Sequence, residues 1–208
     1  QRELIAAYYA CNTFVDAQVG VLLEAVDRLG LWENTVIVFV SDHGYHLGDH
    51  GGFWHKLSLF EESARVPLIV YAPGMDGVGR STDRLVELTD LYPTLVALTG
   101  LPAHEGLDGI DLTPVLNDPA APTKPAAYTA VARSDTPEAD HARNLSYLGQ
   151  SIRTDRYRYT EWDGGARGIE LYDHQTDPQE FINLAGNGDV ADVQARLRRK
   201  LQQIEAPQ

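Results

Sequence analysis

The sequence predicts an α/β protein in two parts. Helices sandwich a mixed or parallel sheet in the first. The second is a small α+β unit with an antiparallel sheet and a final helix. Three observations predict this. Residues 36–40 and 66–71 are short apolar runs rich in β-branched side chains, the pattern of strands buried on both faces. Val15, Val19, Leu22, Leu23, Val26 and Leu29 recur at helical spacing. Beyond a proline-rich crossing, four strand candidates are separated by turn signals.

Taken in order, the first element is a helix over 2–29, with Gly30 suited to the position past its end. Cys11 on this helix reads as a small buried hydrophobe. Asn34-Thr35 turns the chain into strand 36–40, which stops at Ser41-Asp42-His43-Gly44. About 25 residues, rich in Gly, His and charge, lead to strand 66–71; connections this far above the usual 4–6 are functional or disordered. Trp54, Leu57, Leu59 and Phe60 argue for an anchored loop. Asp90 reads as the N-cap of a helix through Thr99, with Pro93 in its first turn and Gly100 at its end. Residues 101–125 hold five prolines and make an ordered crossing, so the units divide as 1–125 and 126–208.

In the second unit, strands are expected at 128–133, 148–154, 157–162 and 169–172. Thr154-Asp155-Arg156 and Asp163-Gly164-Gly165 turn between them. The last helix carries Val190, Val193, Leu197, Leu201 and Ile204 on one stripe. Asp189 and Asp192 come early, and Arg196, Arg198, Arg199 and Lys200 late, which suits the helix dipole.

Composition narrows the function. With 30 acidic residues against 17 basic, the net charge is -13. That argues against a nucleic-acid partner, whose phosphates need neutralising cations. No apolar run approaches the roughly 20 residues that span a bilayer. One cysteine permits no internal disulfide.

The chemistry concentrates in residues 41–56. Open α/β sheets bind ligands beyond the carboxyl ends of their strands, where Asp42 and His43 stand. Four of the seven histidines, His43, His46, His50 and His55, fall in this stretch with Asp49 and Lys56. Asp42 and His43 offer a carboxylate and an imidazole, part of a metal shell whose other ligands lie elsewhere. Lys56 is a compact cation able to hold a phosphate or sulfate oxygen. The bland alternative is a turn-capping Asp42 and a satisfied His43. His46, His50 and His55 read first as donors that order the loop. A zinc site of His43, His46, Asp49 and His50 matches no strong zinc signature.

SDHGYHLGDHGGFWHKLSLFEESARVPLIVYAPG resembles the central motif of the type I sulfatases of the alkaline phosphatase superfamily, in the iduronate-2-sulfatase-like and choline-sulfatase-like branch. ELTDLYPTLVALTGLP, SIRTDRYRYTEW and ELYDHQTDPQEFINLA are similar to later landmarks of that family. The resemblance implies an alkaline-phosphatase-like sheet. It implies that Asp42 and His43 are two ligands of a divalent cation, most often Ca2+, with Mg2+, Mn2+ and Zn2+ as alternatives. Lys56 matches the lysine that contacts the sulfate, with His55 as the rival candidate. His43 and Lys56 are thereby the catalytic candidates.

The family's nucleophile is a formylglycine made in a C/S-x-P-x-R motif, which is absent here. The resemblance is therefore to the C-terminal portion of a sulfatase. The expected partners are a sulfated small molecule or carbohydrate and an N-terminal half of the same protein, and the chain alone is expected to be inactive. Family members are often periplasmic, secreted or lysosomal. The rival readings are a phosphodiesterase or phosphonate monoester hydrolase of the same superfamily, and a non-catalytic binding module.

Overall fold

The computed structural model describes residues 1–136 and 145–205. Helix α1 spans Arg2–Arg28, and Gly30 takes the left-handed φ of 65° that turns the chain away from its end. No residue of α1 is buried within this chain. Phe14 and Leu22 of its apolar side are each 67% exposed, and Cys11 is exposed rather than the buried hydrophobe expected. The helical period is present, but the described residues do not cover it.

Strand β1 (Ile37–Val40) pairs with β2 (Leu68–Tyr71) in antiparallel register, Val38 opposite Val70 and Val40 opposite Leu68. The α/β class stands, but the reading of both runs as parallel-type strands buried on both faces is corrected. Phe39 is 40% and Ile69 63% exposed. A short apolar run marks a strand without encoding the direction of its neighbour or which face is covered. Between the strands lies the four-residue helix α2 (Glu61–Ala64). Leu59 anchors the long connection at 2% exposure, whereas Leu57 is 48% exposed and does not.

A 3-10 turn, Leu88–Asp90, runs into α3 (Leu91–Leu98). Asp90 is not the side-chain N-cap that the sequence suggests. Its fully buried carboxylate accepts the N–H of Glu87 and of Ile110, each at 2.8 Å, and meets Lys124 Nζ at 2.6 Å. Lys124 also pairs with Glu87, whose other carboxylate oxygen accepts the Tyr128 N–H at 2.7 Å. This cluster ties the proline-rich crossing, which itself holds helix α4 (Thr113–Asn117), to the start of the second sheet.

That sheet is an antiparallel meander of β3 (Ala127–Arg133), β4 (Tyr147–Arg153), β5 (Tyr157–Trp162) and β6 (Ile169–Asp173). All four expected strands are present, within a residue of their expected ends. Tyr128, Ile152, Tyr159 and Leu171 face one another across the ladder. Leu197 and Leu201 of α5 (Ala191–Glu205) pack on this row to form the core. Each such side chain contributes about 1.5–3 kcal/mol by leaving water. The stripe ends early, since Ile204 is 53% exposed. The bases of α5 sit mid-helix, and none occupies its last turn, so the expected dipole pairing at that end is absent.

One buried ion network joins α2 to this sheet. Arg158, 2% exposed on β5, pairs with both Glu61 and Glu180 and donates to Ser151 Oγ at 3.3 Å. Glu180 Oε2 accepts the Glu61 N–H at 2.8 Å, and Glu180 Oε1 bonds His174 Nε2 at 2.7 Å. No helix among the described residues is long and apolar enough to cross a membrane.

Candidate functional site

The site grows from the carboxyl end of β1. Ser41 Oγ donates to His43 O at 2.7 Å, tightening the turn. His43 Nδ1 lies 2.8 Å from Gly44 O. A carbonyl only accepts, so Nδ1 carries the proton, and in the neutral ring Nε2 presents a lone pair. That Nε2 faces Asp42 Oδ2 at 3.6 Å, beyond hydrogen-bond reach. Two donors about 2.3 Å from one shared cation stand about 3.6 Å apart at an angle near 100°. A carbonyl fixing the far nitrogen is the usual support of a metal-ligating histidine. Asp42, at 84% side-chain exposure, and His43, at 35%, remain open to further ligands. The pair fits a divalent cation, and it is an incomplete shell.

Gly44 locks this turn to α2. Its N–H donates to Ser63 O at 2.9 Å, and a Cβ there would stand 1.8 Å from Glu62 O. The chain then makes a hairpin-like excursion, in which the His46 N–H donates to His55 O at 3.1 Å and the Gly48 N–H to Phe53 O at 2.7 Å. The segment leaving Asp42-His43 and the segment bearing His55-Lys56 therefore run side by side. Lys56 is exposed, and among the described residues its ammonium makes no ion pair. His55 Nδ1 is buried without a hydrogen-bond partner. Burial, aided by the charge of Arg133, pushes the His55 imidazole below its ordinary pKa. As the cation for an anionic substrate, Lys56 is therefore the better fit of the two.

The other histidines are brought together in a different way. His50 stacks on Phe60 at 3.9 Å and bonds Glu62 Oε2 at 3.2 Å. His46 is fully buried against Ser58, Nε2 to Oγ at 2.7 Å. Both order the loop, as expected. Asp49 instead caps the Leu47 N–H at 3.1 Å, so the four-residue zinc grouping of His43, His46, Asp49 and His50 does not assemble. Sequence reasoning missed Glu62, which bonds His50 and stands near His46, and Glu180, which holds α2 through the Glu61 N–H and Arg158. No local pattern marks either; the only available signal was the run of two glutamates opening α2.

Comparisons with known proteins bear directly on this arrangement. The Sulfatase family profile matches residues 1–101, the span that contains Asp42, His43 and Lys56. Iduronate 2-sulfatase of Mus musculus is 34% identical over 88% of this chain and 40% of its own length. The chain belongs to the sulfatase family. Among solved structures, this sulfatase chain is similar to a protein captured with its substrate D-glucosamine-2-N,6-O-disulfate. That likeness has a TM-score of 0.81 and 27% identity over 92% of this chain and 38% of the other. It is also similar to the phosphonate monoester hydrolase of Agrobacterium radiobacter, with a TM-score of 0.78 and 32% identity over 92% of this chain and 39% of that one. The chain thus spans about two fifths of the relatives it matches. Divalent-metal binding is a property of the family, and the open Asp42-His43 pair is chemically suited to it.

Proposed function

We propose that this chain supplies the metal-holding and anion-holding wall of a sulfuric ester hydrolase. One observation carries the reading: Asp42 Oδ2 and His43 Nε2 face each other at 3.6 Å, with the far imidazole nitrogen committed to Gly44 O. Asp42 and His43 would hold the cation, which we assign as Ca2+ on the hardness of the carboxylate, with Mg2+, Mn2+ and Zn2+ as alternatives. Such an ion supplies Lewis-acid charge to the oxygens of a bound sulfate ester. His43 acts by keeping its Nε2 lone pair aimed, since its Nδ1 proton is spent on Gly44 O. Lys56 brings a positive charge, unpaired among the described residues, to an acidic protein and neutralises the transferring group. His55, held toward its neutral form, shapes the wall beside Lys56.

The rest of the site would come from outside these 208 residues. We assign the formylglycine nucleophile and the remaining metal ligands to an N-terminal half of the same protein. The uncovered apolar side of α1 and the exposed faces of β1 and β2 are where that half would pack. Residues 1–125 would then belong to the catalytic domain and 126–208 to a C-terminal subdomain. The substrate class is a sulfated small molecule or carbohydrate.

A second reading rests on the likeness to the phosphonate monoester hydrolase, which shares 32% identity with this chain. One experiment separates the two. The purified protein, with and without a formylglycine-bearing N-terminal half, is assayed on p-nitrocatechol sulfate and on p-nitrophenyl phenylphosphonate. The expected result is sulfate ester turnover only with that half present, falling on the order of 10²-fold in Asp42→Asn and in Lys56→Met. Preferred turnover of the phosphonate would establish the second reading. Turnover by the chain alone would overturn the shared-site proposal.

A further inference from the structure

Two groups of three metal-ligating side chains stand elsewhere in the described residues: Glu61, His174 and Glu180, and His46, His50 and Glu62. They differ in what is left over. In the first, both glutamates are paired with the buried Arg158, and His174 bonds Glu180 at 2.7 Å. Its positive charge is already supplied. No cation is present in the second group. His50 Nε2 and Glu62 Oε2 lie 3.2 Å apart, with side-chain exposures of 7% and 27%. His46 is fully buried, and its Nδ1 has no hydrogen-bond partner.

An unpartnered nitrogen in the interior is costly and calls for a partner. Its chemistry is set by its surroundings. Ser58 Oγ donates to Ser63 Oγ at 2.9 Å, so it accepts from His46 Nε2–H at 2.7 Å. The His46 tautomer is thereby fixed with a bare lone pair on Nδ1. A hydroxyl holding the far nitrogen is the kind of support that orients metal-binding imidazoles. One ligand atom of each of His46, His50 and Glu62 lies within 4.8 Å of the other two. The observed 3.2 Å between His50 and Glu62 is close to the edge, about 3.3–3.5 Å, of a tetrahedron around zinc.

We propose that His46 Nδ1, His50 Nε2 and Glu62 form a site for a borderline divalent ion of the Zn2+ class, with the fourth position open to water. Neither Asp42 nor His43 belongs to it. The donor set, two imidazoles and one carboxylate, suits Zn2+ and Co2+ better than the hard Ca2+. On binding, the His50 proton leaves Nε2 for Nδ1, Nε2 turns its lone pair to the metal, and Glu62 exchanges its hydrogen bond for a metal bond. Burial, above all, lowers the His46 pKa and so favours the neutral ring that ligation requires. Occupied, the site would pin the 46–55 excursion to α2 and set where His55-Lys56 emerges.

The test is a titration of the purified, chelator-treated protein with Zn2+, with Co2+ as spectroscopic probe. Asp42→Asn/His43→Gln serves as the background that removes the hard site. The expected result is one equivalent of Co2+ with the intense visible bands of four-coordinate geometry, retained in that background. Glu62→Gln and His50→Gln should weaken Zn2+ binding tenfold or more while keeping the wild-type circular dichroism spectrum. Glu62 is 27% exposed, so the Glu62→Gln arm of the test does not depend on the fate of buried His46 variants. The proposal is overturned if no equivalent binds, or if binding survives in Glu62→Gln and is lost in Asp42→Asn/His43→Gln.

Discussion

The Glu180 carboxylate accepts the backbone N–H of Glu61 at 2.8 Å, across 119 residues of chain. Glu180 is 1% exposed, and the same carboxylate holds Arg158 and His174. The first turn of α2 is therefore fastened to the second sheet through Glu180 as well as through the Glu61–Arg158 pair. Since Gly44 leans on α2 in turn, the Asp42-His43 corner is positioned by contacts that reach into β5.

Replacing Glu180 tests this. Glu180→Gln keeps the shape but leaves the buried Arg158 guanidinium short of one counter-charge. Removing one partner of a buried pair costs about 3–5 kcal/mol. Chemical denaturation should show a loss of that order, and Glu180→Gln with Arg158→Met should recover part of it. A loss below about 1 kcal/mol, the value of exposed pairs, would mean the network carries little.

Acid should act through the same group. Burial pushes Glu180 up, but the His174 hydrogen bond and the Arg158 charge prevail, and its pKa lies below the ordinary carboxylate value. Asp173 is held low in the same way, first by its hydrogen bond from Arg156. A lowered acid stabilises the fold fully above the unfolded-state pKa, near 4.3 for glutamate. Below that the unfolded chain binds protons the folded chain refuses, and stability falls until the folded pKa is reached. Urea midpoints should therefore drop from pH 5 to pH 3, and more shallowly in Glu180→Gln. Equal slopes for the two proteins would count against Glu180 as a source of the acid limb.

Lys124 should behave as the counter-charge of the Asp90 cluster. Its pKa is raised: burial alone would lower it, and the hydrogen bonds it donates to Asp90 and Glu87 overcome that. Lys124→Met leaves the fully buried Asp90 with backbone donors alone, and the expected loss is about 3–5 kcal/mol. Asp90→Asn with Lys124→Met should be milder than Lys124→Met. Thermal unfolding of the three variants reads the order directly.

Gly44→Ala probes the corner itself. The added methyl would meet Glu62 O at 1.8 Å, a backbone atom that cannot swing aside. Overpacking of this kind costs about 1–3 kcal/mol. It should also displace Asp42 and His43 relative to α2, weakening divalent-ion affinity beyond the effect on stability. Calcium titration of the variant, set beside its melting temperature, separates the two effects.

The residues that could be read in advance are those whose evidence is local. Strands β3 to β6 follow from alternating apolar side chains and from turns such as Thr154-Asp155-Arg156, features confined to a few neighbours. Asp42 and His43 stand out in the sequence because they are adjacent at a strand end, and Lys56 because it falls within the same family-like motif. What the amino-acid order could not disclose involves partners far along the chain. Asp90 looked like a helix cap because its own turn permits that, and it became an ion-pair centre only when Lys124 arrived 34 residues later. Glu62 gained its meaning by reaching His50, 12 residues back. The pairing direction of β1 and β2 depended on the fold, because an apolar run marks a strand and leaves both the neighbour's direction and the covered face open. Local patterning thus settled the six strands and the helices α1, α3 and α5, while the short helices α2 and α4 form inside segments that read as connections. Long-range electrostatics and close backbone approach settled which charged groups face one another.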